Sequence, residues 1–126
     1  EDALEIKNIG CDAVWVSNHG GRQLDSAPSS ISRLPIMRKA LGKEFPIIFD
    51  SGVRTGDDVV KALACGADLV MLGRPILFCL GAQGPKGLRS FLKSLELEIS
   101  NIMAQIGIVS IAEIDKNCIN FHGGNG

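Results

Sequence analysis

Three short runs of uninterrupted apolar residues punctuate the chain: Ala13–Val16, Pro46–Phe49 and Leu69–Leu72. None alternates with polar residues. Strands of a parallel sheet covered on both faces have this pattern, so each run is expected to be a buried strand. Between the runs, apolar positions recur at helical spacing. The stretch EDALEIKNIG carries Ala3, Leu4 and Ile6 and closes at Gly10, a natural residue just beyond a helix end. The stretch SSISRLPIMRKALG carries Ile31, Leu34, Met37, Ala40 and Leu41 and stops at Gly42, with Pro35 expected early in the helix, where its missing N–H costs little. In TGDDVVKALACG, Thr55 or Asp57 is the cap, Val59, Val60, Leu63 and Ala64 are the apolar face, and Gly66 is the stop. The longest predicted helix spans about 85–106, with Leu88, Phe91, Leu92, Leu95, Ile99, Ile102, Met103 and Ile106 as its stripe. Ser110 and Glu113 have the spacing of a capping box for a last short helix.

The resulting order is helix, strand, helix, strand, helix, strand, long helix. Such βα repetition implies parallel strands. Two stretches repeat in detail, NIGCDAVWVSN and ACGADLVMLGR: each has a helix-ending glycine, a small residue and an aspartate before its strand. The repeat supports one barrel or one doubly wound sheet. At 126 residues the chain suffices for a single domain with one core.

Composition narrows the function classes. A net charge of −1 argues against a nucleic-acid or polybasic membrane footprint. No apolar run reaches the roughly 18 residues of a membrane helix, and EDALEIKN lacks the basic and apolar regions of a signal peptide. Cys11, Cys65, Cys79 and Cys118 form no CxxC pair. They are expected to be reduced, mostly buried thiols of a cytosol-like compartment, with no metal site.

Polar clusters follow all three strands: SNHGGR after the first, DSGVR after the second, GRP after the third. C-terminal strand ends form the ligand-binding edge of parallel α/β folds. Asp50, Ser51, Gly52, Val53 and Arg54, with Gly73 and Arg74, combine glycine-freed backbone N–H groups with two guanidinium groups, which suits phosphate. An arginine near a helix N-terminus is unfavourable with the macrodipole unless an anion is present. Ser17, Asn18, His19 and Arg22 face the same mouth. Histidine exchanges protons near neutral pH, and arginine matches a carboxylate. A base beside a carboxylate anchor suits chemistry at the adjacent carbon. His122, near the end of the chain, is expected to be inert. NHGG also suggests an esterase oxyanion loop, but no serine sits in a G-x-S-x-G elbow. No G-x-G-x-x-G fingerprint supports a Rossmann site.

Taken together, VSNHGGRQLD, DSGVRTGDDVVKALACGAD and LGRP closely resemble the FMN-dependent 2-hydroxy-acid oxidases and dehydrogenases, the group that includes glycolate oxidase and L-lactate dehydrogenase. The resemblance runs from about Asp2 to about Ile119. It implies a (β/α)8 TIM barrel, of which residues 1–126 are a C-terminal fragment supplying about strands 6–8 with their helices. It implies that His19 is the catalytic base and Arg22 binds the substrate carboxylate. Ser17 would contact the flavin, while Asp50, Ser51, Gly52, Val53, Arg54, Gly73 and Arg74 hold the ribityl and phosphate end of FMN. The implied reaction oxidises an L-2-hydroxy acid of the lactate or glycolate type to a 2-oxo acid. The Cα hydrogen passes to the flavin as hydride after His19 takes the hydroxyl proton, or His19 takes the Cα proton itself. The electron acceptor is oxygen, a quinone or a cytochrome.

Family members are much longer, and their active-site tyrosines, a lysine and a histidine-partnering aspartate come from earlier strands. This chain has no tyrosine at all. The resemblance further implies a tetramer-like homo-oligomer and an intracellular location, cytoplasmic first, with peroxisomal or membrane-associated forms also compatible. Two other readings stand beside it. One is an isolated half-barrel that binds FMN or phosphate weakly and self-associates without catalysis. The other is a different phosphate barrel, of the type 2 isopentenyl-diphosphate isomerase kind, against which the His-x-x-Arg pair argues.

Overall fold

The three apolar runs do form strands, each shorter than its run: β1 (Val14–Val16), β2 (Ile47–Phe49) and β3 (Leu69–Val70). The computed structural model describes residues 1–119, so the expectation for His122 lies outside the described residues. The strands pair in parallel in the order β1-β2-β3, with Trp15 beside Ile48 and Ile48 beside Leu69. Helices α1 (Asp2–Asn8), α2 (Ser30–Leu41) and α3 (Gly56–Ala64) alternate with them. A long α4 (Arg74–Gln105) follows β3, and two 3-10 turns, Ile111–Glu113 and Lys116–Cys118, close the described chain. No helix among the described residues is long and apolar enough to cross a membrane.

The expectation of strands covered on both faces is corrected. Side chains alternate across a strand, and only one set is covered. Val14, Val16, Ile47 and Phe49 are buried, packed with Ala3, Leu34, Leu41, Ala62 and Cys65 from the helices. On the opposite face Trp15 and Leu69 are each 54% exposed and Met71 is 38% exposed. An uninterrupted apolar run therefore marks a two-sided environment of which this chain builds one side.

The N-terminal ends of the strands are tied together by one guanidinium. Arg38 donates to the carbonyls of Gly42 (2.7 Å), Lys43 (3.1 Å), Phe45 (2.8 Å) and Gly66 (2.9 Å), and it pairs with Asp68. The same Asp68 carboxylate accepts the N–H of Ile47 at 2.7 Å. This binds the exit of α2 and the exit of α3 to the starts of β2 and β3. Gly66 is required here, because a Cβ would lie 2.7 Å from Arg38 Cγ and φ is +107°.

The helix expectations need three amendments. Pro35 is the sixth residue of α2 rather than part of its first turn, so its missing N–H removes one rung of the helix. The last helix begins at Arg74, not Pro85. It is broken at Gln83 and Gly84, whose φ/ψ of 58°/−150° is open to glycine alone; residues 74–82 form an earlier segment that the glycines at 81, 84 and 87 hide from a periodicity reading. Ser110 does cap a turn, but its hydroxyl accepts from Ala112 N, and reciprocal capping boxes form instead at Thr55 and Asp58 and at Asp115 and Cys118. Cys11 is exposed and only Cys65 of the four thiols is buried, contrary to the expectation that most would be.

α4 packs on α3 through a close approach. A Cβ on Gly56 would meet Glu98 Cβ at 2.6 Å and Ile99 N at 2.8 Å, and the backbone atom cannot swing aside. Beyond this crossing, Val60, Ala64, Met103 and Ile114 form a second small core. Gly56→Ala is expected to destabilise the protein by about 1–3 kcal/mol through overpacking, read as a lower denaturant midpoint at unchanged m-value. Burial also pushes the Cys65 thiol up from its usual pKa, and the thiolate is the reactive form. Under native conditions iodoacetamide should therefore label Cys11 before Cys65, with Cys65 at least about tenfold slower than in urea; equal labelling would contradict the packing.

Candidate active site at the strand ends

β1 ends at Val16, and the chain turns at once through the 3-10 turn His19–Gly21. His19, Gly20 and Gly21 all have positive φ (55°, 68° and 74°). Two glycines make this turn accessible, but His19 pays the left-handed penalty itself, of order 1–3 kcal/mol. The turn is pinned by hydroxyls. Asn18 N and Gly20 N donate to Ser51 Oγ at 3.2 and 3.3 Å, and His19 N donates to Ser17 Oγ at 3.0 Å. Ser51 donates to Asp50 Oδ1 at 2.7 Å, and it too has positive φ, at 86°.

A cleft of about 270 Å³ opens at this edge, lined by His19, Arg22, Asp50, Ser51, Gly52, Val53, Arg54, Gly73 and Arg74, with Met71, Pro75 and Leu77. Every site residue singled out in the sequence except Ser17 and Asn18 lies on it. Ser17 sits behind the turn, holding His19 N. A second hollow of about 490 Å³ adjoins the cleft, and the two share Gly20, Ser51, Gly52, Val53 and Arg74. Asn18 lines this hollow, and its Oδ1 is buried without a hydrogen-bond partner, which calls for an explanation in a native structure. Together the two spaces fall in the size range of small-molecule sites.

The cleft is cationic. Arg22, Arg54 and Arg74 line it with one carboxylate, Asp50. Among the described residues neither the Arg22 nor the Arg54 side chain has a hydrogen bond or ion pair. Arg74 has only a long 3.4 Å contact to the carbonyl of Gly20. Three guanidinium groups on one small cleft repel one another unless anions enter.

The helix starts beside the two arginines differ in their acidic partners. At α3 the first donors are closed: Arg54 N and Thr55 N donate to Asp58 Oδ2 (2.9 and 3.1 Å), and Gly56 N donates to Glu98 Oε2 at 2.7 Å. Those carboxylates already neutralise the positive end beside Arg54. At α4 the first turn has no acidic residue, so Arg74 lies uncompensated against the dipole. The backbone N–H groups of Gly52, Val53, Gly73 and Arg74 make no hydrogen bond among the described residues. The unpaired donors thus lie at the strand ends and the start of α4, not at α3.

Sequence reasoning missed Asp58, Glu98 and the Ser51 hydroxyl bonds. Asp58 carried a detectable signal, the T-x-x-D spacing from Thr55. Glu98 and Ser51 act across 42 and 31 residues of chain and had none. Among the described residues no group of three His, Cys, Asp or Glu side chains could hold a metal ion.

Comparison with known proteins gives a consistent picture. A family model described as FMN-dependent dehydrogenase matches residues 1–121. An L-lactate oxidase of Lentilactobacillus hilgardii is 45% identical over 114 residues, covering 90% of this chain and 31% of that protein. An L-lactate dehydrogenase of Acinetobacter baylyi is 43% identical over 119 residues, covering 94% of this chain and 31% of its own length. Among solved structures, a lactate oxidase described as putative from Pediococcus acidilactici superposes with a TM-score of 0.88 at 44% identity, over 95% of this chain and 34% of that one. A soluble mutant of the membrane-associated (S)-mandelate dehydrogenase from Pseudomonas putida gives 0.88 at 42% identity, over 92% and 33%. The chain thus spans about a third of the length of the relatives it matches, and its one-sided parallel sheet is a portion of a (β/α)8 barrel.

Proposed function

The chain belongs to the FMN-dependent dehydrogenase family, and from that membership and the cleft at its strand ends we propose that the protein containing it oxidises a small L-2-hydroxy acid, of the lactate or glycolate type, to the 2-oxo acid. Residues 1–126 supply strands six to eight of the barrel and the C-terminal part of its single FMN domain. The observation that carries the reading is the cleft that gathers one histidine and three arginines with a single carboxylate. Two anions, a substrate carboxylate and a cofactor phosphate, would relieve that excess charge.

FMN fits what the residues offer: free backbone donors at Gly52, Val53, Gly73 and Arg74, guanidinium groups at Arg54 and Arg74, and an unpaired acceptor at Asn18. When bound it supplies the two-electron acceptor. Arg22 holds the substrate carboxylate in a charge-assisted pair, which fixes the neighbouring hydroxyl-bearing carbon. His19, which lines the cleft, accepts the proton that oxidation releases. Arg54 and Arg74 bind the phosphate. Asp50 and Ser51 order the cleft wall between the two anions.

The open sheet face favours a second reading for the 126-residue chain in isolation. Among the described residues Trp15, Leu69 and Met71 form an apolar surface with no cover, and β1 and β3 each leave one edge unpaired, a template for joining another chain. In that state the chain would self-associate, bind FMN or phosphate weakly and catalyse nothing.

In the full-length protein, His19→Gln is expected to lower kcat by roughly 10²–10⁴-fold. Arg22→Met should cost about one to two orders of magnitude in kcat/KM, and Arg74→Met should release FMN on gel filtration. Unchanged turnover in His19→Gln would sink the assignment, as would a flavin-loaded wild type inert to lactate, glycolate and mandelate. The isolated chain should sediment as more than one copy and show no flavin reduction by lactate or glycolate; fast reduction there rules out the second reading.

A further inference from the structure

The turn that carries His19 is held by side-chain hydroxyls, not by the sheet. Three successive backbone N–H groups are involved, those of Asn18, His19 and Gly20, and the two that flank His19 both go to Ser51 Oγ, at 3.2 and 3.3 Å. The Ser51 hydroxyl proton goes to Asp50 Oδ1 at 2.7 Å. A hydroxyl has one proton and two lone pairs, so the hydrogen-bonding capacity of Ser51 is filled within the protein. Its side chain has nothing left for a ligand, although the residue lines the cleft.

The backbone at Ser51 adds a second observation. Its φ of +86° is a glycine conformation adopted by a serine, and Gly52 follows at +82°. A glycine at 51 would relax the backbone and lose only the hydroxyl. Retaining serine keeps strain in exchange for the two bonds to the histidine turn. His19 is itself strained at +55°, and a strained turn persists only where its surroundings over-determine it.

We infer that Ser51 is a positioning residue for the base: by holding the N–H groups of the residues on either side of His19, Asn18 and Gly20, it sets where the imidazole stands in the cleft, and it does not serve as a cofactor ligand. The inference deepens the reading of His19 as proton acceptor and rests on it. Ser51 also couples the turn after β1 to the Asp50 carboxylate after β2, so the base and the cleft wall move as one unit.

The test compares Ser51→Gly and Ser51→Ala with the wild type in the full-length protein. Four quantities are read: FMN affinity by fluorescence titration, KM and kcat with L-lactate or the best 2-hydroxy acid found, the kinetic isotope effect with deuterium at Cα, and amide hydrogen exchange at residues 18–20. Both variants should keep FMN affinity and KM within about threefold, lose at least about tenfold in kcat, show a larger isotope effect, and exchange the amides of Asn18 and Gly20 at least about tenfold faster. Ser51→Gly, free of the φ strain, should fold at least as stably as Ser51→Ala, which keeps the kcat comparison independent of folding. An active wild type whose variants match its kcat overturns the inference alone. So does a loss of FMN affinity in step with kcat, since it would place the hydroxyl on the cofactor. A wild type that holds FMN and turns over no 2-hydroxy acid overturns the functional reading, and the positioning role with it.

Discussion

The Arg38 guanidinium binds the carbonyls of Gly42, Lys43, Phe45 and Gly66 and the carboxylate of Asp68, and Asp68 in turn holds the first N–H of β2. Two helix exits and two strand starts meet on this one fork of donors. A planar guanidinium can satisfy so many acceptors at fixed angles where an ammonium could not. With the starts of β2 and β3 level, the parallel ladder carries the register up to Phe49 and Val70. Everything past those residues, the DSGVR and GRP segments, then arrives at one edge. The polar segments meet there because the strands are parallel and their lower ends are tied.

At that upper edge the chain uses its own polar groups in two ways. Asp58 and Glu98 close the N-terminus of α3, which leaves that helix capped and indifferent to ligands. The start of α4 has no such cover, and Arg74 stands there with free N–H groups around it. This asymmetry leaves the unpaired donors among the described residues at β2 and α4 rather than at α3. Ser51 works on the other side, joining the histidine turn to Asp50. The strain at His19 and Ser51 is local, while the bonds that sustain it come from a neighbouring strand end.

The sheet has one finished face and one open one. Phe49, Leu34, Leu41 and Ile47 are almost completely buried beneath the helices, whereas Trp15 and Leu69 look outward from the same ladder. The chain covers about a third of the relatives it resembles. A row of large apolar side chains at strand positions 15, 48 and 69, paired across the sheet, suits a barrel interior that further strands would complete.

Much of this was legible in the residues. The element order, the helix-stopping glycines at 10, 42 and 66, and the Thr55 cap are local features, written within a few positions of where they act. The three strand-end clusters were legible for the same reason: a parallel βα repeat fixes which end of each strand they occupy. The break at Gly84 was not, because the helix was expected to begin near Pro85, and residues 74–82, with Gly81 among them, carry no helical stripe that shows they precede the break. Nor were the exposed face of Trp15, the Glu98 bond to Gly56 and the Ser51 clamp, for they join residues 31 to 42 positions apart or depend on an absent layer. Local sequence thus determined what the elements are and which residues reach the mouth. Tertiary structure decided which of those residues stay free for a ligand and which are used in holding the others, since a hydrogen bond between distant segments exists only once the backbone has brought them together.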